Sequence, residues 1–249
     1  MKRIAIITGA TSGIGEATAR RFITQGYCVI GNGRRAEKLD ALQQELGDNF
    51  QPVAGDASED ATIEALFETS QARFGAEPDI VVINAGFGLG GSVKDADLTN
   101  FEAMWKLNVS GALKLMQISA QRLSVRQENA FPEQAADIVV IGSVVGKNLS
   151  PFSAVYSSTK FAVHTLAESL RREVCGKGVR VTTVAPGIVL SEFQENAGYK
   201  DDTLNRFETN FGPLLYGDDI AAAIEHLVAL PPHVHISDIT VRPTRQDYP

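Results

Sequence analysis

The stretch Ile4-Ala5-Ile6-Ile7-Thr8-Gly9-Ala10-Thr11-Ser12-Gly13-Ile14-Gly15 decides the fold. Its first four residues are uninterruptedly apolar, as in a strand buried on both faces of a parallel sheet. A turn with the spacing G-x-x-x-G-x-G follows, and the segment from about Ile14 to Gln25 then reads as a helix closed by Gly26. In this strand–turn–helix the glycines permit a tight turn and let the backbone approach a pyrophosphate. The charge of such a group meets the free N–H groups at the helix N-terminus. The spacing differs from G-x-G-x-x-G, but the physical logic is the same.

Outward from this stretch, short apolar runs alternate with longer amphipathic segments. Strands are expected at Tyr27 to Ile30, Phe50 to Val53, Ile80 to Ile83, Ile138 to Ile141, Val179 to Val184 and Ile239 to Val241. Between them, Leu39, Leu42 and Leu46 mark one helix face, and Ile63, Leu66, Phe67 and Phe74 another. Thr99-Asn100-Phe101-Glu102 reads as a capping box opening a helix that runs through Asn108 to about Arg122. Helices are also expected from about Phe152 to Val174 and from Asp218 to Leu230. The pattern predicts an α/β fold, a doubly wound seven-stranded parallel sheet with helices on both faces. One domain is expected over residues 1–249, since no linker, repeat or low-complexity tract divides the chain. Ser124 to Asp137 lacks periodicity and reads as a surface loop. Residues 190–217 carry Phe193, Tyr199, Phe207, Phe211 and Tyr216 among acidic residues. This is either a substrate lid beyond the strand ends or a small packed helical excursion.

Composition narrows the partners. Of 249 residues, 44% are apolar and 21% charged, ordinary for a globular protein, and the net charge of −7 argues against nucleic acid or an acidic membrane surface. No apolar run reaches the ~18 residues of a membrane span. The opening apolar run ends at Thr8-Gly9 and is read as a strand, not a signal peptide, so a cytoplasmic location is expected. Cys28 and Cys175 are expected as free thiols in a reducing compartment, and neither they nor His233-x-His235 make a metal motif.

The end of the second strand bears on the choice of dinucleotide. An NAD site would place an Asp or Glu ~20 residues on, where it accepts from the ribose hydroxyls. Here the segment is Gly31-Asn32-Gly33-Arg34-Arg35, without a carboxylate. Two guanidiniums suit a 2′-phosphate, which points to NADP(H), although an Arg there could simply start a surface helix. After the third strand, Asp56 could accept from an adenine amino group. Asn84-Ala85-Gly86 ends the fourth strand where the cofactor should pass.

The last segment with chemistry is Ser143 to Lys160. A hydroxyl, Ser143, follows an apolar strand, and Tyr156 and Lys160 stand four apart, one turn apart on a helix face. An ammonium beside a phenol favours the phenolate, lowering a pKa normally near ~10, and such a phenol exchanges a proton with a carbonyl oxygen near neutral pH. Alone, Y-x-x-x-K also fits a half-buried Tyr with a solvated Lys.

Together these residues resemble the short-chain dehydrogenase/reductase family over nearly the whole chain. The glycine motif is matched by Thr8 to Gly15, the N-A-G motif by Asn84 to Gly86, the helix asparagine by Asn108, and the P-G motif by Pro186-Gly187. Ser143, Tyr156 and Lys160 match the catalytic serine, tyrosine and lysine. The resemblance implies a catalytic set of Asn108, Ser143, Tyr156 and Lys160. It implies cofactor contacts from Gly9, Thr11, Ser12, Gly13, Ile14, Gly15, Arg34, Arg35, Asp56 and Ala57. It also implies them from Asn84, Ala85, Gly86, Tyr156, Lys160, Pro186, Gly187, Ile188 and Ser191. Two departures stand out: the usual N-N-A-G reads Ile83-Asn84-Ala85-Gly86, and the threonine four positions beyond P-G is Ser191.

By resemblance the chain is an NADP(H)-dependent oxidoreductase that moves a hydride between nicotinamide and a small carbonyl or alcohol. Gly33-Arg34-Arg35, the tail Leu230 to Ile236 and Arg242-Pro243-Thr244 look most like the 3-hydroxy acid (serine) dehydrogenase subgroup. The resemblance also implies a homo-oligomer, a tetramer or dimer, with the Asn108 and Tyr156 helices at an interface. Alternatives are a general NADPH carbonyl reductase and a non-catalytic dinucleotide-binding regulator. Lys147, Arg206, Arg242 and Arg245 are candidates for a substrate carboxylate, with surface roles as their default.

Overall fold

The computed structural model describes residues 2–197 and 201–248, so Tyr199 of the expected lid lies outside the described residues. The first half of the chain forms β1 (Ile4–Thr8), α1 (Gly13–Thr24), β2 (Cys28–Gly33), α2 (Ala36–Leu46), β3 (Phe50–Ala54), α3 (Asp60–Phe74) and β4 (Ile80–Ile83). Then come α4 (Phe101–Trp105), a π-helical stretch (Lys106–Gly111), α5 (Ala112–Gln127), β5 (Ala136–Ile141), α6 (Ala154–Val174) and β6 (Val179–Pro186). The chain closes with β7 (Val189–Leu190), α7 (Glu192–Asn196), α8 (Asp201–Phe211), β8 (Leu215–Tyr216), α9 (Gly217–Ala229) and β9 (Asp238–Val241).

Seven strands pair in parallel in the order β3-β2-β1-β4-β5-β6-β9, as the alternation of apolar runs predicts. Because side chains alternate along a strand, β1 to β6 each feed two cores. Ile4, Ile6, Val81, Ile138 and Val140 face Ile63, Phe67, Leu115, Met116 and Val163 of α3, α5 and α6. Ala5, Ile7, Ile80, Val82 and Val139 face Phe22, Leu39, Ile220 and Ile224 of α1, α2 and α9. Each Val, Ile, Leu, Phe or Met among them, fully buried, contributes about 1.5–3 kcal/mol. The strand order reverses between β1 and β4, which opens a crevice at their carboxyl ends, the usual ligand position in an open α/β sheet.

Three expectations are corrected. Thr99 does not cap a helix: its amide and hydroxyl bond Asp97 Oδ1 at 2.9 and 2.6 Å, and Asn100 stands at the N-cap without a side-chain bond. The helix through Asn108 is not continuous, because the π-helical stretch inserts a wider turn at that residue. Nor does it stop near Arg122; it runs to Gln127, whose side-chain amide donates to the carbonyls of Gln134 and Gly178, so the connection to β5 is shorter than expected. Beyond the main sheet, β7 and β8 form a separate parallel pair at the base of the 190–217 segment, which is helical in α7 and α8.

Candidate active site

The crevice is built from the glycine turn and the end of β4. Gly9 and Gly13 take φ of 69° and 55°, the left-handed region that favours glycine. A Cβ on Gly15 would lie 2.2 Å from the Gly9 carbonyl oxygen, so close backbone packing requires glycine there. Thr8, 1% exposed at the end of β1, accepts from the amides of Asn84 and Ala85, both at 3.0 Å. Asn84 Nδ2 donates back to the Thr8 carbonyl at 2.9 Å. The glycine turn and the N-A-G segment are therefore one clasp across the strand-order reversal. Sequence reasoning counted Thr8 in the glycine motif but gave its side chain no task of its own; the signal was a hydroxyl at the last position of an apolar strand.

At the end of β2, Arg34 is exposed, whereas Arg35 is half-buried and directed inward. Arg35 donates to the Thr11 hydroxyl at 3.0 Å and pairs with Glu192 of α7 at 2.7 Å. Lys38 holds the other oxygen of Glu192, also at 2.7 Å. Direct hydrogen bonds from Lys38 and Arg35 hold that carboxyl below its ordinary range, so two cations converge on one anionic group at this corner. Asp56 lies beyond β3 beside buried Ala57. Burial would raise its pKa, but the amide and hydroxyl of Ser58, at 2.8 and 2.7 Å, together with Arg34 and Lys106, bring it below the usual value.

Ser143, Tyr156 and Lys160 meet where β5 turns into α6. Ser143 stands before a 3₁₀ turn, Val144–Gly146, and its Oγ accepts from the Val145 amide at 3.3 Å. Lys160 is 7% exposed and donates to the Ile141 carbonyl at 2.8 Å. Burial lowers its pKa to about 8. Its Nζ is 5.7 Å from the Tyr156 ring centre. Asn108, 3% exposed in the π-helical stretch, accepts from the Phe87 amide at 3.1 Å and donates to the Phe87 carbonyl at 2.8 Å. It also donates to Thr159 Oγ1 at 3.2 Å, and that hydroxyl donates to the Tyr156 carbonyl at 2.8 Å. Asn108 thus joins the segment after N-A-G to the helix carrying Tyr156. The wider π-helical turn is a frequent device at functional sites.

The remaining expected residues close the crevice. Gly187 and Ile188 donate to the Val241 carbonyl and to Gln246 Oε1 at 2.7 and 3.0 Å, which fixes the chain after Pro186. Ser191 faces the glycine turn, its Cβ 3.1 Å from where a Gly13 side chain would begin. Phe193 of α7 stacks at a tilt on Tyr156, ring centres 5.4 Å apart, and covers Gly88. Phe207 and Phe211 contact each other on α8, and Tyr216 is exposed. Lys147 is engaged by Asp238 and by Thr240 Oγ1, and Arg245 by the Gly212 carbonyl. His164 was not anticipated: its Nε2 accepts the Ser143 amide at 3.2 Å. Its sequence signal is its position one turn beyond Lys160. Among the described residues no group of His, Cys, Asp and Glu could hold a metal ion.

A family model described as short chain dehydrogenase matches residues 3–202. The serine 3-dehydrogenase of Agrobacterium fabrum is 34% identical over 251 residues, covering 100% of this chain and 96% of its own. A closed form of serine dehydrogenase complexed with NADP+ superposes with a TM-score of 0.89 at 33% identity, covering 98% of this chain and 96% of that one. Serine dehydrogenase from Escherichia coli gives 0.82 at 31% identity, with 98% and 100% covered.

Proposed function

Because the chain belongs to the short chain dehydrogenase family, we propose that this oxidoreductase moves a hydride between NADP(H) and a small 3-hydroxy acid such as serine. The observation that carries this reading is Lys160, a buried ammonium held at the Ile141 carbonyl beside the Tyr156 ring. Its charge favours the Tyr156 phenolate. Tyr156 takes the proton from a substrate hydroxyl in oxidation and returns it to the carbonyl oxygen in reduction. Ser143, its Oγ already accepting from Val145, donates its own proton to the same substrate oxygen. Asn108 and Thr159 hold the Tyr156 helix against the segment after Gly86, and we assign Asn108 a water linking Lys160 to solvent. The nicotinamide, when bound, supplies or takes up the hydride.

The residues present fit a dinucleotide. Gly9, Gly13 and Gly15 let the turn pack closely against Asn84, Ser191 and its own backbone, and we assign the pyrophosphate to the free N–H groups at the start of α1. Arg35 and Lys38, already gripping the Glu192 carboxylate, supply the cations that a 2′-phosphate needs, with exposed Arg34 beside them. Asp56, with Ala57, is assigned to the adenine, and Pro186, Gly187, Ile188 and Ser191 to the nicotinamide side. Segment 190–217 is read as a lid, supported by the Phe193 contact with Tyr156 and the Glu192 pairs with Arg35 and Lys38. A homo-oligomer, tetramer or dimer, is part of the proposal, supported by exposed Trp105, Leu113, Leu149 and Phe152 on and beside α4–α6. A cytoplasmic location is proposed with it; among the described residues no helix is long and apolar enough to cross a membrane.

A second reading, a general NADPH ketone or aldehyde reductase, is favoured by Phe193 over Tyr156 and by the engagement of Lys147 with Asp238, which removes one cation from the carboxylate candidates. Turnover of L-serine, L-threonine and 3-hydroxyisobutyrate with NADP+ and with NAD+ separates the two. Oxidation of at least one with NADP+ preferred is the expected result. Failure of all three alongside reduction of simple ketones would establish the second reading.

A further inference from the structure

Helix α6 grips the turn that carries Ser143 at three points. Ser157 Oγ donates to the Val145 carbonyl, Lys160 Nζ donates to the Ile141 carbonyl at 2.8 Å, and His164 Nε2 accepts from the Ser143 amide at 3.2 Å. The spacing of these residues puts all three on one helix face. Two of the bonds bracket Gly142, so the backbone on either side of the β5 terminus is pinned to the helix that bears Tyr156. The glycines beside Ser143 are shaped to the ring: a Cβ on Gly142 would lie 1.9 Å from His164 Nε2, and one on Gly146 would lie 2.8 Å from it.

We propose that His164 is a positioning residue for Ser143, fixing the serine backbone so that its hydroxyl meets the substrate oxygen at the distance set by Tyr156. The proposal rests on the reading of Ser143 and Tyr156 as the groups that touch that oxygen. To accept the amide, Nε2 must be unprotonated, with the ring proton on Nδ1. The surroundings favour that state. Burial first, then the charges of Lys160 and Lys147, push the imidazole down to about 4, with Asp238 opposing. Glu168 and Arg172 of the same helix line an open cleft with the ring, and Arg172 pairs with Glu168. A leucine would fill the space but leave the Ser143 amide unpaired; a glutamine restores an acceptor at similar reach.

The test is a set of variants read in kcat, KM and structure. His164→Leu is expected to lower kcat about 10- to 100-fold, with substrate KM and NADP+ affinity little changed. His164→Gln is expected to recover most of the loss. In a Ser143→Ala background, His164→Leu should cost almost nothing further, because the group it positions is gone. Nitrogen NMR of wild-type histidines should show the Nδ1–H tautomer for His164 at neutral pH. The proposal is overturned if His164→Leu keeps wild-type kcat, or if it costs the same factor with and without Ser143. It is equally overturned by the opposite tautomer, a result that does not depend on any variant folding. If Ser143→Ala and Tyr156→Phe themselves turn over normally, the underlying reading has failed, and that outcome is distinct from the others.

Discussion

Ser143 Oγ accepts an amide hydrogen from its own turn, so the hydroxyl proton can be directed to a substrate oxygen. Ser143→Ala is therefore expected to lower kcat by roughly 10²–10³, the usual effect of removing one donor to a developing oxyanion, with NADP+ affinity retained in a binding titration. Arg35→Ala removes a charged partner from the anion corner. It should weaken NADP+ binding by about 10- to 100-fold while leaving NAD+ nearly unaffected, the range of a hydrogen bond to a charged group. His164 adds a pH dependence. Its folded-state pKa lies below the unfolded value, so the unfolded chain binds more protons between pH 6.5 and about 4. Stability from this group is complete above pH 6.5 and falls as the pH drops through that window. Denaturant midpoints should decline less steeply there in His164→Gln than in wild type. At this scale candidate reacting groups can be named from the sequence, because chemistry restricts them to few residue types. Their supports, Thr8 and His164, cannot, because a buried threonine and a helical histidine have many roles in other contexts.

Among elements, the strands were legible because a parallel strand buried on both faces must be continuously apolar; β4 occupies the bounds read for it, Ile80–Ile83. The two-residue strands β7 and β8 carry too little pattern to read. The π-helical turn at Asn108 has no sequence code of its own. It coincides with the bonds of one amide side chain to Phe87 and Thr159, and local propensity contains neither. The capping box failed for a similar reason: Asp97, two residues earlier, holds Thr99 in its own turn. The clasp between β1 and β4 gives a prediction at this level. Thr8→Val keeps the shape but leaves the half-buried amides of Asn84 and Ala85 without their acceptor. It should destabilise the protein by about 1–3 kcal/mol, measured by urea denaturation, and loosen cofactor binding.

For the whole molecule, the sheet separates stability from chemistry. At the amino end of the strands, Arg180 and Asp137, with side chains 7% and 4% exposed, form a two-bond pair, and Arg3 bridges Asp137 to Asp79. Arg180 also donates to the carbonyls of Val228, Leu230, Pro231 and Val234, tying the chain after α9 to the sheet. None of this was legible, since the partners lie far apart in the chain and a charge within an apolar strand has no local explanation. Arg180→Met should cost about 3–5 kcal/mol in denaturant titrations, the effect of stranding one member of a buried pair. Its kcat per folded molecule should stay unchanged, because the proposed reacting groups sit at the opposite ends of the strands. The proposed chemistry rests on one proton carrier, so the most direct measurement is Tyr156→Phe, assayed for turnover and NADP+ binding on the same preparation. The account predicts NADP+ binding within a few-fold of wild type and turnover reduced to background. Near-normal turnover in that variant would contradict it.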